Sequence, residues 1–325
     1  MKKIFALILA LALVFALTAC GEKEETITLV LDWTPNTNHT GIYVALEKGW
    51  FEEAGLQVQV VQPPEGGSAL LAASGKAQFA VTAQDTIAPA LAGDSPMPIT
   101  AVAAILQHNT SGIVSRAGEG MDTPKGLEGK KYATWDLDVE KATIRDVMEA
   151  DGGNFDLVEL IPSTVTDEVS ALQSGSVDAI WIFYGWAGIA CEVAGLPIDY
   201  FEFADIDPVF DYYTPVLIGN DAWLEENPDT AKAFLTALGK GYTYATEHPA
   251  EAADILMEAA PELKANSALV YASQEYLAAE YIADAARWGE FDGARWAAFF
   301  NWLNENGLLD GELDPNFGYT NEYLP

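Results

Sequence analysis

Residues 31–49 read LDWTPNTNHTGIYVALEKG. The run that leads into them, Ile27–Trp33, is rich in β-branched and aliphatic residues and reads as a strand. The run that follows, Thr40–Ala54, has apolar residues at helical spacing and ends at Gly55, a residue suited to close a helix. Strand and helix therefore meet at a turn that carries Asp32, Trp33, Asn36 and His39, with Tyr43 one turn inside the helix. Thr40 is the expected N-cap. The same unit recurs: strands at Leu56–Gln62, Gln78–Thr82 and Ile99–Leu106 alternate with helices at Gly66–Ser74 and Asp85–Ala92. Such alternation implies an α/β fold with right-handed crossovers and a largely parallel sheet.

The alternation restarts after Asp122–Leu127. Strands are expected at Lys131–Thr134, Leu157–Ile161, Val177–Phe183 and Pro197–Phe203, with helices at Val139–Ala150, Val165–Gln173 and Gly185–Val193. Tyr213–Ile218 is a last β-like run, and from Asp221 the pattern is mostly helical to Leu309. This order fits two lobes, the second inserted into the first: 27–115 and 216–325 form one lobe, 116–215 the other. The chain is expected to cross at Gly112–Gly118 and Tyr213–Asn220, leaving an interlobe ligand cleft. In open α/β sheets ligands sit beyond the carboxyl ends of strands.

The chain has 325 residues, with 49 acidic against 16 basic side chains and a net charge of −33. No basic surface is available to neutralise phosphates, so nucleic acid is excluded as a partner. The acidity suits a soluble monomer. The N-terminus reads as a targeting segment: Lys2 and Lys3 precede an apolar run from Ile4 to Ala19, too short for a membrane span. It ends in Leu17-Thr18-Ala19-Cys20, which resembles a bacterial lipobox. That resemblance implies cleavage of residues 1–19 and lipidation of Cys20, with 20–26 as a tether to the cell membrane. Cys191 then has no disulfide partner and is expected to be a small buried residue.

Six turns at strand ends hold the candidate site. From them and their flanking helices come Asp32, Trp33, Asn36, His39, Tyr43, Gln84, Asn109, Trp135, Glu140, Trp181, Tyr184 and Trp186. None of the six stretches contains Lys or Arg, whereas a site for sulfonate, nitrate or phosphate usually supplies a guanidinium or several helix N-termini. Flat rings, amides and carboxylates suit a planar, neutral or weakly basic heterocycle. Each residue also has an ordinary reading, as core aromatic, turn former or helix cap, so the argument rests on their convergence. No HExxH, CxxC, GxSxG or phosphate-cradling loop is present. The histidines at 39, 108 and 248 lack metal-ligand spacing, so neither metal nor cofactor is expected.

The stretch DWTPNTNHTGIYVALEKGWFEEAGL, with QPPEGG, SGKAQFAVTAQD, QHNTSGI, LEGKKYATWD, DIDPVFDYYTPV and Tyr319–Tyr323, resembles solute-binding proteins for thiamine-pyrimidine precursors. The likeness spans the chain beyond the targeting segment. These proteins serve ABC importers and share a fold with thiamine-pyrimidine synthases and, more distantly, with nitrate, sulfonate and taurine binders. The resemblance implies a two-lobe type II periplasmic-binding-protein fold, an ABC permease as partner, and no catalysis. It places Asp32 and Trp33 in the pyrimidine pocket, Asn36 and His39 in the loop beside it, and Trp135 at the facing strand end. The ligand it implies is formylaminopyrimidine or hydroxymethylpyrimidine. The synthases carry a cofactor-binding Lys, a nearby His and a cysteine-rich stretch; here Thr82, Thr86 and a Cys-free DPVFDYYTPV stand at those places. A same-fold binder for riboflavin, taurine or another sulfonate stays open, as does a synthase-like enzyme.

Overall fold

The computed structural model describes residues 26–325. The targeting segment 1–19, Cys20 and all of the tether except Thr26 lie outside the described residues. Among the described residues ten strands form two five-stranded sheets. The first contains β1 (Thr26–Val30), β2 (Gln57–Val61), β3 (Phe79–Thr82), β4 (Ile99–Ala104) and β10 (Val216–Asn220), in the order β2-β1-β3-β10-β4. The second contains β5 (Ser111–Arg116), β6 (Lys131–Thr134), β7 (Glu159–Pro162), β8 (Ala179–Phe183) and β9 (Ile198–Glu202), in the order β7-β6-β8-β5-β9.

Period-two alternation divides the first sheet between two cores. Ile27, Leu29 and Leu31 face an apolar cluster with Ile42, Val44, Phe234 and Leu238, from helices Thr40–Glu47 and Pro228–Glu247. Val30, Ala80 and Ile218 belong to a second cluster with Ile87, Trp296 and Phe300, from helices Gln84–Leu91 and Gly293–Glu305.

The sheets are mixed rather than largely parallel. β10 runs antiparallel to β3 and β4, and β5 antiparallel to β8 and β9. The reason is topological: a strand that enters from the other sheet at the carboxyl edge must run back through its neighbours. The first crossing also lies earlier than Gly112–Gly118, because Ser111–Arg116 is wholly a strand of the second sheet. The expected helix Thr40–Ala54 is split at Gly49, whose φ of 73° ends Thr40–Glu47 before Trp50–Glu53 begins. Gly185–Val193 begins not as an α-helix but as a π-helical turn, Tyr184–Gly188.

Register shows which edges meet. β4 ends at Ala104 and β5 starts at Ser111, opposite Phe183, the last residue of β8. β9 ends at Glu202 opposite Gly112, and β10 starts at Val216 between Thr82 and Ala104. Both crossings therefore join the carboxyl edge of one sheet to that of the other. Any cleft between the sheets is lined by strand-end turns.

Two contacts hold these edges together away from the crossings. Ser273 of helix Ser267–Glu280 donates its hydroxyl hydrogen to the Gly185 carbonyl, so the 2.6 Å contact with Thr37 requires Thr37 to donate to Ser273. On the other side the Trp302 indole donates to Asp146 of helix Asp138–Ala150 at 2.6 Å.

Helix Pro228–Glu247 approaches helix Thr40–Glu47 through Gly241, where a Cβ would overlap the Gly41 carbonyl oxygen. Gly239, two residues away, would bring its Cβ only to 3.4 Å from the Trp288 ring, an ordinary contact. Gly241→Ala should therefore lower stability by about 1–3 kcal/mol through overpacking. Gly239→Ala should be neutral or gain about 0.5–1 kcal/mol from helix propensity. Urea unfolding of both variants tests this, and equal shifts would contradict the close approach.

Candidate functional site

The turn after β1 is built by reciprocal capping. Asn36 Oδ1 accepts the Asn38 N–H at 2.9 Å, and His39 Nδ1 accepts the Asn36 N–H at 3.2 Å. This pair starts a short 3-10 turn, Thr37–His39, ahead of the α-helix, so Asn36 rather than Thr40 is the capping residue. Since His39 Nδ1 accepts, the ring proton lies on Nε2, which donates to Asp32 Oδ1 at 2.7 Å. The Tyr281 and Tyr242 hydroxyls donate to the carbonyls of Thr37 and Asn38, at 2.6 and 2.8 Å. Trp33 emerges from this anchored turn 60% exposed.

The turn after β6 is anchored from beneath. The buried Glu140 carboxylate accepts from the Tyr132 hydroxyl at 2.6 Å, the Thr134 hydroxyl at 3.0 Å and the Trp135 N–H at 3.1 Å. Asp136 adopts φ 66°, held by its N–H on Thr134 Oγ1 at 2.9 Å and by Lys141 Nζ on its carboxylate at 2.9 Å. Backbone strain of this kind is concentrated at functional sites. Trp135 is presented 42% exposed. Its ring centroid lies 5.8 Å from that of Trp181, which lies 4.3 Å from Phe203. Trp181 is buried, and its indole N–H has no hydrogen-bond partner among the described residues.

Between these turns lie the crossings. Asp85, half-buried at the start of helix Gln84–Leu91, keeps Oδ1 on the Thr86 N–H and has Oδ2 3.5 Å from the Tyr212 hydroxyl. Burial raises the Asp85 carboxyl above the usual range, and burial with the nearby Asp85 charge raises the Tyr212 phenol. Ser111 is buried, with its hydroxyl beside that of Tyr212. His108 bonds Asp211 at 2.8 Å and Asp284 at 3.1 Å, and the Asp211 bond raises the imidazole pKa.

The sequence-predicted residues fall into distinct groups. Asp32, Trp33, Asn36 and His39 share one turn, and Trp135 stands on the opposing edge with Trp181 behind it. Gln84, Asn109 and Glu140 were expected at a ligand, but the fold uses their polar atoms. Gln84 donates to the Trp296 carbonyl at 2.9 Å and accepts the Tyr213 N–H at 3.0 Å. Asn109 donates to the Phe210 carbonyl at 2.8 Å and accepts the Ser111 N–H at 3.0 Å. Tyr43 and Trp186 both pack against the apolar cluster of Leu256, Met257, Leu263 and Val270, where the sheets' elements meet. Tyr184 lies apart, in a cavity along β9, with its hydroxyl donated to Glu192. Cys191 is buried, its thiol pushed up to about 11 by that burial.

Asp85 and Ser111 lie on the strand-end turns picked out from the sequence, and Tyr212 lies close to the second crossing, but none of the three is among the twelve residues named there as ligand candidates. Asp85 was visible as a carboxylate at a helix start; the other two gain meaning only from the crossings. Folding also brings two cations to turns that contain none. Lys141 pairs Asp136, and Arg295 lies 3.5 Å from Asp211 with its guanidinium over the Tyr213 ring. Both are engaged with carboxylates.

The sequence pattern described as NMT1/THI5 like matches residues 36–252. A formylaminopyrimidine-binding protein from Halalkalibacterium halodurans is 30% identical, over 95% of this chain and 96% of that protein. A 4-amino-5-hydroxymethyl-2-methylpyrimidine phosphate synthase from Aspergillus parasiticus is 24% identical, over 93% of this chain and 88% of that protein. The periplasmic aliphatic sulphonate binding protein SsuA from Escherichia coli superposes with a TM-score of 0.69 at 15% identity, over 92% of this chain and 99% of that chain. The last likeness shows the architecture: two α/β lobes of the type II periplasmic-binding-protein fold.

Proposed function

This chain belongs to the NMT1/THI5-like family, and from that premise we propose that it is the solute-binding lipoprotein of an ABC importer, specific for a thiamine-pyrimidine precursor. The ligand is formylaminopyrimidine or hydroxymethylpyrimidine. The observation that carries this reading is the pair of exposed indoles, Trp33 and Trp135, on rigid turns at the two edges joined by the crossings. Large apolar rings left in water on anchored turns mark binding surfaces.

A flat pyrimidine stacks on such rings, while Asp32, Asp85 and the Tyr212 hydroxyl offer acceptors and donors for ring nitrogens and an exocyclic amine. Ligand held between the two edges favours the closed arrangement, which the permease reads. The paired state of Arg295 and Lys141 argues against a sulfonate ligand, since neither offers a free guanidinium or ammonium. Thr82 and Thr86, at the places of the synthases' Lys and His, argue for binding rather than catalysis. The lobe assignment 27–115 with 216–325, and 116–215, is retained with its first boundary moved ahead of Ser111. The anchor is Cys20, after removal of residues 1–19. Palmitate labelling in cells tests it: label retained in Cys20→Ser would refute the anchor.

Calorimetry with formylaminopyrimidine, hydroxymethylpyrimidine and taurine tests the ligand. A pyrimidine should bind with a Kd of about 1 nM to 1 μM, and taurine should not. Trp33→Ala should weaken binding by about tenfold or more with little change in thermal midpoint, because the ring is exposed. Gln84→Ala should instead lower the midpoint, having left two buried groups unpaired. Taurine binding without pyrimidine binding would sink the proposal.

A further inference from the structure

A cavity of about 710 Å³ runs along β9, the edge strand of the second sheet. That volume is in the range of small-molecule sites. Its walls include Tyr184, Tyr200 and Tyr276 with Glu192, Glu202 and Asp205, and among the described residues no Lys, Arg or His lines it. The tyrosine rings form a continuous surface: Tyr184 lies 4.8 Å from Tyr200 and 5.4 Å from Tyr276. Tyr276 belongs to helix Ser267–Glu280, which packs on the first sheet's side, so the cavity is walled by both parts of the molecule. The Tyr184 hydroxyl is committed to Glu192 and the Tyr200 hydroxyl to the Thr110 carbonyl at 2.7 Å. The phenols of Tyr184 and Tyr200 therefore present ring faces rather than free hydroxyls. Among the described residues, the Glu202 carboxyl has neither a hydrogen-bond donor nor a paired cation.

We propose that this cavity, which no residue of the Trp33 or Trp135 turn lines, is a second binding site for a small organic ammonium ion held by tyrosine faces and the Glu202 and Asp205 carboxylates. Aromatic faces attract cations through their quadrupole, most strongly where water is partly excluded. The described lining offers an anion no positive charge. The charge environment agrees: Glu202 is pushed up to about 7, first by burial and then by Asp205, Glu280 and Asp211, against the lowering effect of His108. A cation bound there relieves this repulsion and favours the ionised carboxylate. Below pH 7 the carboxyl is mostly neutral and takes part weakly; above it, the carboxylate is present and affinity rises. Binding near neutral pH therefore releases a proton to the buffer. The site does not rest on the identity of the cleft ligand.

The test is calorimetric titration of the purified full-length protein with benzyltrimethylammonium at constant ionic strength. Saturable binding is expected, about tenfold tighter at pH 8 than at pH 6. Heats at pH 7 should differ between phosphate and Tris buffers, as proton release requires. Glu202→Gln should weaken binding at pH 8 and abolish its pH dependence, and Tyr276→Ala should weaken binding at both pH values. Asp205→Asn, at an exposed position, gives a further variant should either of the others unfold in a circular-dichroism melt. No saturable heat, or unchanged affinity in the folded variants, would overturn the proposal.

Discussion

The His39 imidazole holds the first turn in place. It is fully buried, and its two ring nitrogens divide the work, with Nδ1 accepting the Asn36 N–H while Nε2 donates to Asp32. That division fixes a single neutral tautomer and ties the strand end to the helix start. With the carbonyls of Thr37 and Asn38 also held, by Tyr281 and Tyr242, the backbone on the helix side of Trp33 has little freedom. The exposed indole is thereby held in place, which would lower the entropy lost if the proposed ligand stacks on it. Glu140 plays the equivalent part under Trp135, as a carboxylate whose donors come from its own strand end.

In the proposed reading the two anchored turns belong to one site because of the crossings. β5 and β10 each enter a sheet at its carboxyl edge, so the edges that bear Trp33 and Trp135 are joined at Leu106–Thr110 and again ahead of Val216. Gln84 and Asn109 brace these junctions by bonding backbone groups far away in sequence. As struts rather than ligand groups, they give the junction a fixed geometry. The Thr37–Ser273–Gly185 chain links the first turn directly to the π-helical turn of the second sheet. A change at the Trp33 turn is thus mechanically connected to the opposing lobe.

Much of this was legible in one dimension. Alternating strand and helix patterns located nine of the ten described strands to within a few residues, all but β5, and the resemblance named the two-lobe fold. β5 was missed because SGIVSR carries no alternation that separates it from a linker. The turn Asp32–His39 was read as a recognition turn because its residue types are those that cap and bind. The direction of a side chain at a strand end is not written in local pattern. Gln84, Asn109 and Glu140 have suitable chemistry but are buried by residues 100 or more positions away or by their own turn. Arg295 and Asp211 likewise meet only after the chain has returned to the first sheet. Tertiary contacts, not propensity, decide these cases.

The central claim is that a flat heterocycle is held between the Trp33 and Trp135 turns. A crystal structure of the protein with formylaminopyrimidine tests it most directly. The account predicts the ring stacked on Trp33 or Trp135, with its amine or ring nitrogens within hydrogen-bond distance of Asp32, Asp85 or Tyr212. A pyrimidine found in the β9 cavity beside Tyr184, with both indoles still free in solvent, would contradict it.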